Sequence, residues 1–190
     1  MKKLKDFVKI EDSGLRGEVS FYKNGEFLFK KTNMIVENGR KYLKEIFLEK
    51  AGLSGEGKLL SATEDTIHWS NLIFDKIILG TGANATTKDM VYNNIKGTLI
   101  PAYSVSLNNF NNTAGSSNTI ERNLGENSII FKINILGNSE YPILAKELVI
   151  LLQEEGSTNE NTQILFSRLS FDGVPLGAGS DLELEYHIYF

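Results

Sequence analysis

The sequence predicts a mainly β domain, an antiparallel β-sandwich or barrel-like fold with one packed amphipathic helix at about residues 38–51. Three observations carry this expectation. About eight strand-like segments follow one another, separated by turn-rich stretches and without the strand–helix alternation that a parallel sheet requires. Only one segment has helical periodicity. At 190 residues, 41% of them hydrophobic, the chain is long enough to bury one core of fair size, and no solenoid or propeller repeat divides it.

The first element is a hairpin over Gly17 to Phe29. Glu18-Val19-Ser20-Phe21-Tyr22 alternates, Asn24-Gly25 is the preferred type I′ turn pair, and Phe27-Leu28-Phe29 returns. Both central positions of that turn need positive φ, which Asn tolerates and Gly adopts freely. From Asn38 to about Ala51 the period changes: Tyr42, Leu43, Ile46 and Phe47 form one apolar stripe on a charged segment, as an amphipathic helix requires. Asn38 is placed as its N-cap, and Gly52 as the left-handed residue that ends it.

Leu72-Ile73-Phe74 and Ile77-Ile78-Leu79 read as strand, ended by Gly80-Thr81-Gly82-Ala83-Asn84. Further strands are expected at Thr98 to Leu107, Ser128 to Leu136, Ala145 to Leu152, Gln163 to Phe171 and Asp181 to Phe190. The Asn/Ser-rich stretch Asn108 to Asn118 reads as an exposed loop. Residues 1 to 16, charged and short of apolar periodicity, read as an N-terminal arm that orders on assembly, with 17–190 as a single β-rich domain.

Charge and composition exclude several classes. The chain has no cysteine, which removes disulfide frameworks, thiolate zinc sites and cysteine nucleophiles. No apolar run approaches the roughly 18 residues of a membrane span, and the opening Met1-Lys2-Lys3-Leu4-Lys5-Asp6 has no apolar stretch behind its lysines to act as a secretory signal. Residues 1–50 hold 12 Lys/Arg against 8 Asp/Glu, and residues 51–190 hold 8 against 16. With the sequence pI near 5.3 and bases interleaved with acids, direct nucleic-acid binding is not expected. A basic quarter facing an acidic remainder suits charge-steered docking between copies.

No constellation reads as catalytic. Gly80-Thr81-Gly82-Ala83-Asn84-Ala85-Thr86-Thr87-Lys88 follows a strand as a phosphate loop would, but its Lys follows the threonines and Asp89 comes next, so a tight strand-ending loop is the expectation. Glu64 and His68 could share a metal on a helix, but two ligands do not complete a site. Asp181, Glu183, Glu185 and His187 alternate on one strand face, at a spacing of roughly 6.5 to 7 Å between successive carboxylates. Any half-exposed strand presents such a face, so a solvated face or an inter-subunit charge pair is expected there. No Gly-x-Ser-x-Gly elbow is present. Catalytic, cofactor-binding and metal-ligating residues are therefore expected to be absent, and the chain is expected not to be an enzyme. The aromatics gather at Phe21-Tyr22-Phe27-Phe29 and Tyr186-His187-Ile188-Tyr189-Phe190, a terminus expected to pair into the sheet or bury against a partner subunit.

Three stretches, in order, carry a resemblance. Asn33-Met34-Ile35-Val36-Glu37-Asn38-Gly39-Arg40-Lys41-Tyr42-Leu43 resembles the helix-opening segment near the start of small bacteriophage virion proteins. Ile77-Ile78-Leu79-Gly80-Thr81-Gly82 with Thr86-Thr87 resembles their strand and Gly-x-Gly turn. Asn127 to Leu152 and Ile164 to Phe190, with Glu147 and Phe166-Ser167-Arg168-Leu169-Ser170-Phe171-Asp172, resemble their closing strands. The resemblance implies a structural protein of the tail, collar or baseplate region, acting as a homo-oligomeric adaptor or ring subunit. A head decoration or head-fibre subunit is the alternative in the same class. No fibre-like extension follows Phe190, which favours the adaptor or decoration role over a fibre anchor. The implied partners are copies of itself and other tail, portal or capsid proteins, in a virion assembled in the host bacterial cytoplasm. From a different class, a carbohydrate-binding β-sandwich would need exposed aromatics, for which Trp69, Tyr103 and Phe110 are the candidates.

Overall fold

The computed structural model describes residues 16–50, 56–58, 66–68, 72–107, 119–123, 128–138, 140–157 and 162–189. Residues 1–15 of the expected arm, Gly52, Glu64, Trp69, the 108–118 loop with Phe110, and Phe190 lie outside them.

The hairpin forms as its turn chemistry requires. β1 (Arg16–Lys23) and β2 (Glu26–Ile35) are joined by Asn24 at φ 51° and Gly25 at φ 79°, both in the left-handed region that a type I′ turn needs. Phe21 faces Phe29 while Tyr22 faces Phe27, so Leu28 is an extra, bulged residue. Arg16, expected in the arm, opens β1 opposite Tyr189.

The helix α1 spans Glu37–Lys50 and starts one residue before the expected cap. The amide of Val36 donates to Phe166 O at 3.1 Å and that of Glu37 to Lys88 O at 2.8 Å, and Val36 O accepts the first helical bond from Arg40 N at 3.0 Å. Those tertiary bonds fix the start, so Asn38 is a buried first-turn residue rather than the cap. Tyr42 lies in the main core, where it meets Phe74 and Phe166 edge to face, and Leu43 and Ile46 pack against the same core.

The remaining strands are β3 (Glu56–Lys58), β4 (Thr66–His68), β5 (Leu72–Gly80), β6 (Leu99–Ser106), β7 (Thr119–Asn123), β8 (Ser128–Leu136), β9 (Ile143–Glu154), β10 (Ile164–Leu176) and β11 (Asp181–Tyr189). β3 and β4 pair with each other, and His68 therefore sits on a strand instead of the helix a shared metal site would use. The other nine form one antiparallel sheet in the order β6-β5-β9-β10-β2-β1-β11-β8-β7, curled into a nearly closed, barrel-like wall. β7 was not expected from the sequence, and β10 runs five residues past the expected Phe171. It does so through an irregularity between Ser170 and Val174, where Gly173 takes φ 122°.

The sheet has two halves, β6-β5-β9-β10 and β2-β1-β11-β8-β7. They join through β10 and β2, which pair only at Ser167–Ile35 and Arg168–Met34. The main core lies between the halves: Val19, Phe21, Phe131, Leu184 and Tyr186 from one side meet Leu79, Leu148, Ile150, Phe166 and Phe171 from the other. The Phe21 ring lies tilted against that of Phe171 with centroids 4.9 Å apart, and Phe74 meets Phe131 edge to face at 5.6 Å. A second core occupies the outer face of the first half, where Val36, Ile78, Val149, Leu151 and Leu165 are covered by Met90, Tyr92, Ile95 and Leu99. β9 is thus buried on both faces, which is why Val149-Ile150-Leu151-Leu152 is apolar without alternation.

A polar knot ties the join on its inner side. Asn33 Nδ2 donates to Ser167 Oγ at 3.2 Å and to Tyr186 OH at 3.1 Å, and Tyr186 OH donates to Ser167 Oγ at 3.2 Å. These three residues come from β2, β10 and β11, so the knot spans both halves. Gly17 leaves room for it, since a Cβ there would stand 2.5 Å from Tyr186 OH. Burial pushes the Tyr186 phenol up to about 12, against the opposing pull of its bonds with Ser167 and Asn33.

Two outcomes are expected from this packing. Gly39→Ala should destabilise the protein by about 1–3 kcal/mol, because the added methyl falls against Phe166 O and its ring; urea denaturation checks the sign, which is opposite to the ~1 kcal/mol gain expected in an open helix. Raised from 10 to about 12, the Tyr186 phenol stabilises the fold fully below pH 10 and loses that contribution as pH rises toward 12. Between those limits the wild type should lose about 2 kcal/mol more than Tyr186→Phe, read from denaturation at successive pH values.

Candidate functional site

Among the described residues, a fully buried charged pair lies on the outer face of the first half, beneath the segment that leaves β5. Arg168 on β10 and Glu147 on β9 are 1% and 0% exposed, with Arg168 Nε donating to Glu147 Oε2 at 2.8 Å. A bulge decides this placement. Leu165 pairs with Leu151 but Ser167 with Ile150, so Phe166 is an extra residue and the alternation changes phase behind it. Ser167 is thereby set on the inner face in the Tyr186 knot, and Arg168 on the outer face.

The Gly80–Lys88 segment closes over the pair. Gly82 N donates to Glu147 Oε1 at 2.9 Å, and Thr98 Oγ1 donates to the same oxygen. The guanidinium reaches Asn84 O at 2.6 Å, Thr86 Oγ1 at 3.2 Å and Gly82 O at 3.5 Å. A Cβ on Gly82 would lie 2.6 Å from Glu147 Oε1, and one on Gly80 would lie 2.6 Å from Thr98 O. The Gly-Thr-Gly turn, expected only to end the strand, also receives an anion on its backbone at Gly82 N, and that anion is the chain's own carboxylate. With both partners covered and each polar atom engaged, the pair orders the roof and leaves no face for a substrate.

The other residues singled out by sequence are dispersed or paired. Among the described residues no three His, Asp or Glu side chains gather to hold a metal. Along β11, Glu185 lies opposite Lys132 and within 3.5 Å of Tyr22 OH, while His187 stacks on Tyr189 at 5.7 Å. Next to them Glu18 takes Lys30 at 2.6 Å and the Tyr189 hydroxyl at 3.1 Å. Burial alone would raise the Glu18 carboxyl, but the bonds from Lys30 and Tyr189 and the charges of Lys30 and Arg16 hold it below its usual range. On this face, then, Glu18 is ion-paired with Lys30 and Glu185 is hydrogen-bonded by Tyr22. Tyr103 is fully buried, its hydroxyl donating to Tyr141 O at 2.7 Å and accepting from Asn138 N at 3.1 Å, and so it cannot serve in a sugar platform. The aromatic last strand is used internally: Tyr186 and Ile188 are in the core and Tyr189 is half-buried under Arg16.

What the sequence did not single out is an apolar end. Phe27, Leu28, Leu136, Tyr141 and Leu144 are the exposed large hydrophobics among the described residues, at 40–66% exposure. They sit on or beside the β1–β2, β8–β9 and β10–β11 connections, which share one end of the sheet. Asn24 N donates to Asp181 O, Asp181 N donates to Asn24 Oδ1, Gly137 N donates to Ser180 O, and Lys23 Nζ reaches Pro175 O at 2.8 Å. Phe27 and Leu28 lie in the returning strand of the hairpin, as the sequence predicts. It is the bulge at Leu28 that turns successive side chains outward, and a bulge leaves no trace in a period-two pattern.

Comparison with protein-family models, with curated proteins and with solved structures found no match.

The buried pair makes a sharp energetic prediction. Arg168→Met or Glu147→Leu alone should destabilise the protein by about 3–5 kcal/mol, since each leaves an uncompensated buried charge. The double variant should lose less than the sum of the two, and a urea-denaturation double-mutant cycle measures the difference.

Proposed function

We propose that this chain is a non-enzymatic structural subunit of a bacteriophage particle, a component of the tail, collar or baseplate region in which copies of it form a ring or adaptor. The same reading admits a head decoration or head-fibre position. The observation that carries it is the gathering, among the described residues, of the exposed large hydrophobic side chains at one end of the sheet. Scattered single apolar residues are ordinary on a surface, whereas a patch of them at one end suits a contact. The rest of the molecule supports assembly over chemistry, because the buried acid–base pair is engaged on all sides by the chain's own backbone and hydroxyls.

In a ring each copy meets its neighbours repeatedly, so a modest area per contact is multiplied by valency. Phe27, Leu28 and Leu136 supply the apolar centre of such a contact, and Lys23, Glu26 and Asp181 beside them supply a mixed-charge rim. The carbohydrate-binding alternative is weakened by the burial of Tyr103 and by the edge-on meeting of Tyr22 and Phe27, whose rings are inclined at 68°.

Size-exclusion chromatography with light scattering, followed by electron microscopy, tests the proposal. The wild type should give a discrete oligomer with ring-shaped particles. Phe27→Asp with Leu136→Asp should weaken association by more than about tenfold while leaving the circular dichroism unchanged, since each buried residue of this size contributes roughly 1.5–3 kcal/mol. A strictly monomeric wild type that binds glycans on an array would overturn it.

A further inference from the structure

Among the described residues, the roof over the outer face stops short of the far end of β5 and β9, and a cavity of about 190 Å³ lies there. Its floor is the apolar second core, formed by Ile78, Leu99 and Leu151, and Tyr92 stands at its side. Its polar walls are Lys76, Lys96, Ser104 and Gln163.

The placement of Lys76 is built into the sheet. Phe74 pairs with Leu152 but Lys76 with Leu151, so Asp75 is bulged and the phase change behind it turns Lys76 onto the outer face. The Lys76 ammonium is held by Asp75 Oδ2 at 3.5 Å, and the same oxygen accepts Gln163 Nε2 at 3.1 Å. Asp75 offsets one of the two lysine charges, which leaves one net positive charge among the described lining residues above an apolar floor. The volume exceeds many times what one water needs and falls below that of pockets for drug-sized ligands.

We propose that this cavity binds a small organic monocarboxylate with an apolar, ring-sized body. The carboxylate meets the Lys96 and Lys76 ammonium groups while the body lies on Ile78, Leu99 and Leu151 beside Tyr92. Leu151 is eight residues along β9 from Ile143, roughly 26 Å from the apolar end of the sheet. Occupancy of this site is therefore independent of whether copies assemble through that end.

Amide-detected NMR titration of the whole chain tests it with three probes: benzoate, its neutral counterpart benzamide, and inorganic phosphate, which carries charge without an apolar body. Benzoate should shift the amides of Ile78, Lys96, Leu99 and Ser104 saturably, with a Kd on the order of 1 mM. Benzamide should bind at least about tenfold more weakly, and phosphate should leave these amides unmoved. Lys96→Ala, on an exposed turn, should weaken benzoate by about fivefold or more, and Ser104→Phe, which closes the mouth, should abolish the shifts with the remaining spectrum preserved. The proposal is overturned if benzoate produces no saturable shift by about 20 mM, if benzamide or phosphate binds as tightly, or if Lys96→Ala leaves the affinity unchanged.

Discussion

Between β2 and β10 the sheet is held by two residue pairs, Ile35 with Ser167 and Met34 with Arg168, and everything on either side must be kept in register by what those two β10 residues do. As neighbours in a strand they point to opposite faces, and the bulge at Phe166 decides which face each takes. Ser167 enters the inner knot with Asn33 and Tyr186, which binds β10 to the second half. Arg168 enters the outer one, where Glu147 and the carbonyls of Gly82 and Asn84 bind β10 to β9 and to the roof. A join of two pairs is short for a sheet of nine strands, and a one-residue slip would carry Arg168 into the aromatic core.

Buried ion pairs are poor sources of net stability, because removing two charges from water offsets most of their attraction. Their geometry here fits a specifying role. A guanidinium that must find a carboxylate, a hydroxyl and two carbonyls admits one register of β10 against β9 and one path for the chain after Gly80. Glycine at 80 and 82 follows from the same demand, since a side chain at either would occupy space that Glu147 Oε1 and Thr98 O already hold. Once that path is set, Met90, Tyr92, Ile95 and Leu99 fall over the outer face of β9, and the second core follows.

Much of the fold is legible in the sequence because its signals are local. Asn24-Gly25 specifies its turn, the stripe of Tyr42, Leu43 and Ile46 specifies the helix, and β8 begins and ends at the expected Ser128 and Leu136. The helix start is misplaced by one residue because bonds to Phe166 and Lys88, distant in sequence, outrank the local cap preference of Asn38. The central polar pair could not be read. Glu147 and Arg168 each stand as a charge in an apolar strand, which is a signal of something, but their facing depends on bulges that alter phase without altering composition. The same holds for Lys76 behind Asp75 and for Phe27 beside Leu28. In this sheet the bulges carry the features that function would use, and period-two reading is blind to them.

If the two knots make the halves one cooperative unit, neither half can open alone. Native-state hydrogen exchange in low denaturant measures this directly, using the amides of Leu148 and Leu169 in one half and of Phe21 and Leu184 in the other. The expected result is a single isotherm, with all four amides merging at the global unfolding free energy and its full denaturant slope. Exchange of one pair at a lower free energy and a smaller slope, while the other pair stays protected, would mean that the join opens first and that Ser167 and Arg168 do not hold the sheet together.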